Sequence, residues 1–70
     1  MFKNGTKVTL KTNLVRKQYY GILPYFEDLE YWQGKVMTIQ KSYIKEDCNM
    51  YLVDENNYTW AEEMLKWLIL

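Results

Sequence analysis

The chain has no histidine and only one cysteine, Cys48, among its 70 residues. It therefore cannot form an internal disulfide, and it contains no Cys/His spacing of the kind that binds zinc. Acid–base and nucleophilic catalysis usually depend on a base held against a nucleophile, and the residues that most often supply this pair are missing. We predict a protein that is not an enzyme and that uses no metal and no cofactor.

Long apolar runs are missing as well. The run Trp67-Leu68-Ile69-Leu70 is far shorter than the roughly 20 residues that span a bilayer. The first residues, MFKNGTKV, lack the apolar stretch of a secretory signal. The acidic pair Glu62-Glu63 beside the apolar end differs from the Lys/Arg-rich face of membrane-surface helices. We predict a cytoplasmic protein without membrane contact, in which a lone thiol stays reduced.

Acidic residues are absent before Glu27, although nine acidic and nine basic residues balance to a net charge of zero. All the carboxylate side chains lie between Glu27 and Glu63. The fold can mix the two signs in space, or it can leave a basic patch and an acidic patch, and the sequence allows both. The basic residues of the first part are Lys3, Lys7, Lys11, Arg16 and Lys17.

Aromatic residues, by contrast, are abundant: seven Tyr, three Trp and two Phe. A chain of this length lies near the lower size limit for an unaided core, so we predict a single domain over residues 1–70. Each buried aromatic side chain removes on the order of 150–250 Å² from water. Dense aromatic packing is therefore the predicted source of stability.

Alternation of polar and apolar residues predicts the first strand, from Lys7 to Lys11. Its apolar residues Val8 and Leu10 should face the core. Thr9 should face solvent together with the two lysines.

Three β segments between residues 35 and 60 predict an antiparallel meander. The inward residues of its first two strands are predicted to be Met37, Ile39 and Tyr43, then Tyr51 and Val53. The predicted ranges are 35–43 for the first strand, 45–49 for a polar loop, 50–55 for the second strand, 54–57 for a turn and 58–60 for the third strand.

A short helix is predicted over residues 24–33, within the long loop that follows the first strand. Pro24 suits the first helical position. Tyr25, Leu29 and Trp32 recur at helical spacing, so they should share one face that packs on the sheet.

A second helix, of a single turn, is predicted over residues 61–65. The pattern Thr59-x-x-Glu62 before it matches a capping box, in which each side chain satisfies a free backbone N–H. A closing strand is predicted at residues 66–69.

Several short motifs follow one another in the order of these elements: Lys7-Val8, Tyr20-Gly21, Gly34-Lys35, Thr38-Ile39, Tyr51, Trp60 and Glu63-Met64-Leu65. The element order is that of a mainly β, small SH3-like barrel of five strands. The motifs resemble small, mostly uncharacterised SH3-like proteins of phages and prophages of Gram-positive bacteria. The resemblance covers residues 5–65, and Trp-x-x-Glu-Met-Leu is its most specific part. It implies a fold, a mobile-element origin and the host cytoplasm as location, but no biochemical activity.

Protein binding is the leading hypothesis for function. A small chain with this many aromatics must leave some at its surface, where Tyr and Trp are good interface anchors. The predicted contact surface lies on the long loop and consists of Tyr19, Tyr20, Tyr25 and Trp32. With the origin that the resemblance implies, the partner is a host or phage complex. The other large apolar residues predicted to lie in the core are Trp60, Tyr51, Tyr58, Met37 and Met64.

Nucleic-acid binding is the main alternative, because SH3-like barrels can offer aromatic rings to bases. A net charge of zero argues against affinity for phosphates. The residues predicted to bind in this alternative are Lys7, Lys11, Arg16 and Lys17, together with Tyr19 and Tyr20.

Two further surfaces are considered. The closing strand can pair its free edge with a second copy, giving a weak homodimer in place of a monomer; residues 67–70 would then be interface in place of core, and Leu52, which is predicted to face outward, adds to that case. An acidic patch can bind a basic partner or imitate DNA phosphates; its residues are Glu46, Asp47, Asp54 and Glu55.

Overall fold

The structure, a computed structural model, describes residues 1–68. The fold is mainly β, as predicted. The strands of the described part are β1 (Lys7–Leu10), β2 (Tyr19–Tyr20), β3 (Leu23–Pro24), β4 (Met37–Lys45), β5 (Cys48–Val53), β6 (Thr59–Ala61) and β7 (Leu65–Trp67). The helical turns are α1 (Glu27–Glu30) and a 3-10 helix (Glu62–Met64).

Five of the strands form one antiparallel sheet in the order β6-β5-β4-β1-β7. Strands β4, β5 and β6 are neighbours in both sequence and space, which confirms the predicted meander. Strand β1 lies between β4 and β7, with Lys7 opposite Thr38 and Leu10 opposite Leu65. We call residues 11–36, between β1 and β4, the excursion, and β2 and β3 form a small hairpin inside it.

The inward residues of β1 are Val8 and Leu10, as the alternation predicts, and both are buried in the core. The expectation that Thr9 faces solvent is wrong, because this side chain is only 9% exposed. β1 is flanked by strands on both sides, so side chains of its neighbours shield its outer face. The buried apolar residues that form the core are Phe2, Val8, Leu10, Tyr25, Leu29, Met37, Ile39, Met50, Tyr51, Val53, Trp60, Ala61, Met64 and Leu65.

The β4–β5 hairpin differs from the prediction at two places. The pairing shifts between Ile39 and Lys41, and this bulge moves Tyr43 off the buried face and into solvent. The predicted loop over 45–49 shrinks to a two-residue turn at Glu46 and Asp47, both with positive φ. Such a turn matches the twist of the flanking strands, which therefore run on to the turn from either side.

The predicted helix over 24–33 is reduced to the single turn α1. Pro24 does not begin it, because Pro24 pairs with Tyr19 in the β2–β3 hairpin. The N–H of Tyr25 then donates to the carbonyl of Gln18 at 3.0 Å, which keeps the chain extended. The helical spacing was nevertheless informative, since Tyr25 and Leu29 are both buried.

The single helical turn near the end is present at Glu62–Met64, but the capping box is not. Thr59 belongs to β6, and Ala61 precedes the turn without a side-chain cap. The closing strand is β7, which begins one residue earlier than predicted and ends at Trp67. Leu68 lies after the end of this strand. Residues 69 and 70, at the end of the predicted strand and of the segment left open between core and interface, lie outside the described residues. Tyr58, predicted core, is exposed because it lies in the turn before β6.

Candidate protein-binding groove

The outer face of α1 is fixed by the residues beneath it. Tyr25 and Leu29 are buried in the core, so the helical turn cannot rotate. Glu27 and Asp28 are left on the exposed side, and the chain leaves the helix through Tyr31, which is 68% exposed.

A groove lies between this helical turn and the turn that joins β5 to β6, and it has a volume of about 750 Å³. We call it the aromatic groove. The helix side contributes Glu27, Asp28, Tyr31 and Trp32, and the turn side contributes Asn56, Asn57 and Tyr58. A volume in the range of roughly 300–1,000 Å³ is usual for ligand sites in proteins.

Three aromatic residues line the groove: Tyr31, Trp32 and Tyr58. Tyr31 and Trp32 stand edge to face, with ring centroids 5.4 Å apart. On the other wall, the ring of Tyr58 stands edge to face against buried Trp60, at a centroid distance of 6.0 Å. Each exposed tyrosine ring therefore packs against a second ring, which restricts its motion. Less side-chain conformational entropy is then lost when a partner binds.

Asn56 holds the turn-side wall in place. Its side-chain oxygen accepts hydrogen bonds from the N–H of Tyr58 at 3.0 Å and from the indole N–H of Trp60 at 3.1 Å. The first bond is the local turn that Asn favours, and the second satisfies the only polar atom of a buried Trp side chain. Asn56 therefore fixes the backbone of Tyr58 relative to the core.

The charged side chains that line the groove are both acidic. Glu27 lies 4.0 Å from the guanidinium of Arg16, and both side chains are mostly exposed. Asp28 forms no ion pair with any residue of the described part. The groove is thus aromatic, with negative charge on one wall.

The four residues of the predicted contact surface differ in location and exposure in the structure. Trp32 lines the groove and Tyr19 is 66% exposed on β2. Tyr20 is half-buried, and its hydroxyl accepts a hydrogen bond from the N–H of Val15 at 2.8 Å. The inclusion of Tyr25 is wrong, because its side chain is fully buried: the hairpin places its backbone opposite Lys17, and its ring turns inward.

The basic residues of the nucleic-acid alternative are partly engaged inside the protein. Arg16 forms a two-pronged ion pair with Glu30, which lowers the pKa of the Glu30 carboxyl. The ammonium of Lys7 donates to the hydroxyl of Thr38 at 2.7 Å. Lys17 is exposed, and Lys11 is half-buried.

A second polar cluster surrounds Glu62 at the other end of the sheet. The hydroxyl of Tyr51 donates to Glu62 at 2.6 Å and accepts from the N–H of Phe2 at 3.0 Å. The side-chain amide of Asn49 donates at 3.2 Å, and the terminal amine of Met1 lies at 3.5 Å. The hydrogen bond from Tyr51 leads the effects that lower the pKa of Glu62, against the opposing effect of burial. Because these groups satisfy one another, we assign the cluster to stability.

Only Trp32 among the lining residues was identified as a site residue from the sequence; the other six are Glu27, Asp28, Tyr31, Asn56, Asn57 and Tyr58. The helical spacing identified Leu29 and Trp32 but not Tyr31, which lies outside that pattern. Tyr31 is exposed directly after the end of α1. Tyr58 was assigned to the core because it directly precedes Thr59-Trp60 in a β-like stretch. The adjacent Asn56-Asn57 pair was the available signal, since such residues predict a turn, and a turn exposes the residue at its end.

Among residues 1–68, no group of three or more Cys, Asp and Glu side chains is placed to hold a metal ion. No helix of this part is long and apolar enough to cross a membrane. Comparisons with protein-family models, with curated proteins and with solved structures found no match to this chain.

Proposed function

We propose that the protein is a non-enzymatic protein-interaction module and that the aromatic groove is its contact site. The observation that carries the proposal is that two exposed tyrosines, Tyr31 and Tyr58, line opposite walls of one concave space, to which the half-buried Trp32 also contributes. Tyr and Trp are the residues most enriched among the anchors of protein interfaces. A preformed concave space gives a partner a surface against which its own side chains can be buried.

The β2–β3 hairpin is a weaker candidate for the main contact. Tyr19 is as exposed as Tyr31, but it lies on a two-residue strand and does not line a groove. The hydroxyl of Tyr20 is used to hold Val15. We assign the hairpin a supporting role at the edge of the interface.

The fold is proposed to be an SH3-like barrel. The strand order, the long excursion after β1 and the helical turn before β7 all support this assignment. The sequence motifs add the phage or prophage resemblance, from which we propose a partner in a host or phage complex and a site of action in the host cytoplasm. This last step rests on the resemblance alone.

A matched pair of substitutions tests the proposed site. Tyr31→Ala and Tyr19→Ala remove the same side chain at nearly the same exposure, 68% and 66%, from the groove and from the hairpin. Tagged wild-type and variant chains are incubated with a lysate of a Gram-positive host, and the captured proteins are quantified by mass spectrometry.

The proposal expects at least one specifically captured protein that is strongly depleted with Tyr31→Ala and retained with Tyr19→Ala. Depletion with Tyr19→Ala alone would instead make the hairpin the contact site. Capture that neither substitution reduces would exclude both the groove and the hairpin as the contact site.

A further inference from the structure

We infer that the occupant of the aromatic groove is a positively charged peptide segment, rich in Arg or Lys, of the partner protein. This inference rests on the proposed function of the groove. It is carried by three properties of the lining: the sign of its charge, the nature of its rings and its size.

The charge of the lining is of one sign. Glu27 and Asp28 supply it, and every other described lining residue is aromatic or an amide. Two cations lie nearby: Lys35 lies over the Tyr31 ring, and Arg16 is engaged by Glu30 and reaches Glu27 only at 4.0 Å, the outer limit of an ion pair. Ion pairs this exposed contribute little, so both carboxylates remain open to a cation that arrives from outside.

The rings add an attraction for cations that the carboxylates alone do not give. The ammonium nitrogen of Lys35 lies 4.7 Å from the centroid of the Tyr31 ring, within the roughly 6 Å typical of cation–π contacts. Tyr31 therefore already attracts a cation within the protein. Trp32 is the ring type that binds cations best, and a guanidinium can stack on a ring while it pairs with a carboxylate.

The size of the groove indicates a peptide rather than a single ion. Its volume is about 750 Å³. At about 30 Å³ for each water of the liquid, this space equals on the order of 25 water molecules, which corresponds to several side chains. An anionic partner such as a nucleic acid would meet like charge on the Glu27–Asp28 wall.

Three Trp side chains provide the readout. Trp32 lines the groove, Trp60 lies behind its turn-side wall, and Trp67 is on β7 at the other edge of the sheet. The full chain is labelled with nitrogen-15, and its indole N–H signals are followed by NMR. The probe is a short, end-capped Gly/Ser peptide with three Arg residues. Two control peptides carry Glu or Gln at the same positions.

The sequence offers a matched control for the carboxylates. Glu27-Asp28 and Glu46-Asp47 are both adjacent Glu-Asp pairs, and all four residues are exposed. The double variants E27Q/D28N and E46Q/D47N therefore change net charge equally, and only the first removes the acids of the groove.

The inference expects the Arg peptide to shift the Trp32 signal in a saturable way while the Trp67 signal stays fixed. E27Q/D28N should weaken this binding by about two- to thirtyfold, the range expected for two exposed ion pairs. E46Q/D47N should change it less than twofold. Tyr31→Phe, which keeps the ring, should bind more tightly than Tyr31→Leu, which does not.

Failure of the inference is distinct from failure of the proposed function. An Arg peptide that leaves Trp32 unshifted, Glu or Gln peptides that shift it equally, or equal losses in both double variants would each overturn the cationic occupant. If partner capture still depends on Tyr31 in any of these cases, the groove remains the contact site. Capture that is independent of Tyr31 overturns the proposed function, and the inference with it.

Discussion

The sheet and the excursion each bury one tyrosine completely, but they use it differently. In the sheet, the hydroxyl of Tyr51 both donates to Glu62 and accepts from the Phe2 N–H. In the excursion, the hydroxyl of Tyr25 has no hydrogen-bond partner in the described part of the chain. Burial raises the pKa of both phenols, that of Tyr51 to about 12. The buried tyrosine of the sheet is thus held by apolar contacts and hydrogen bonds together, whereas that of the excursion is held by its apolar surroundings without a hydrogen bond at its hydroxyl.

The largest expected difference between the two regions concerns their tryptophans. Trp60→Ala removes a fully buried side chain from the sheet, and we expect a loss of about 3–5 kcal/mol in the free energy of unfolding. Trp32→Ala removes a half-buried side chain from the excursion and should cost about 1–2 kcal/mol, because less area returns to water. Urea unfolding measures both. Equal losses would contradict the difference between the regions.

The two buried tyrosines give a closer comparison. Tyr51→Phe removes one hydrogen bond from the Glu62 carboxylate and leaves the Phe2 N–H without its partner, and should cost about 1–3 kcal/mol. Tyr25→Phe removes a buried hydroxyl that satisfies no other group, so it should be neutral or slightly stabilising. The measurement is the free energy of unfolding at neutral pH. A cost at Tyr25 as large as that at Tyr51 would show that its hydroxyl has a partner.

The dependence of stability on pH should come more from Glu62 than from Glu30. Both carboxyls have a pKa lowered from the usual 4.5, so folding favours the charged form. This stabilisation is present above pH 4.5 and is lost as the pH falls through the lower folded value. Salt screens the ion pair of Glu30 with Arg16, whose side chain is 56% exposed, more than the hydrogen bond that Glu62 accepts from the neutral, buried Tyr51.

In high salt, therefore, Glu62→Gln should flatten the acid limb of the stability–pH curve, while Glu30→Gln should leave it close to wild type. At the alkaline end the sign is reversed. The raised pKa of Tyr51 favours the neutral phenol in the folded state, so its contribution persists below pH 10 and is lost as the pH rises towards about 12. Identical acid limbs in the two variants would place the cause elsewhere.

The smallest expected effect is that of Arg16→Ala. Its ion pair with Glu30 is exposed, so the midpoint of urea unfolding should hardly change. The pair nevertheless connects the β2–β3 hairpin to α1, and its loss should speed hydrogen exchange at the amides of Lys17 and Tyr25, which close the hairpin. Unchanged exchange at these two amides, with sheet amides as the reference, would show that the apolar anchors alone hold the excursion.

The sheet was largely predictable from sequence, because its strands obey a period of two. Val8, Leu10, Met37, Ile39, Tyr51 and Val53 were all assigned to the core correctly. The wrong assignments in the sheet have local causes that the alternation of polar and apolar residues does not reveal. The bulge after Ile39 turned Tyr43 outward, and the positions of neighbouring strands buried Thr9.

The excursion was less predictable, because its shape depends on contacts between residues far apart in sequence. Gly21 illustrates this: it lies in the turn of the β2–β3 hairpin and has a positive φ. Its backbone N–H, however, donates to the Glu63 carboxylate at 2.7 Å, and a Cβ there would lie 3.4 Å from the Cys48 sulfur. The groove could not be predicted from the sequence for the same reason. Tyr31 and Tyr58 line one space only after the sheet has brought α1 and the β5–β6 turn close to each other.

The position of β1 between β4 and β7 has a consequence for the kinetics of folding. The β4–β5 hairpin closes through two residues, whereas the pairing of Leu10 with Leu65 joins positions near opposite ends of the chain. Closing the longer loop costs more entropy, so the β1–β7 contact should form after the rate-limiting step. In stopped-flow experiments, Val53→Ala should slow folding, and Leu65→Ala should mainly accelerate unfolding. The two strands at the ends of the chain would then determine how long the native state lasts, and the meander how quickly it forms.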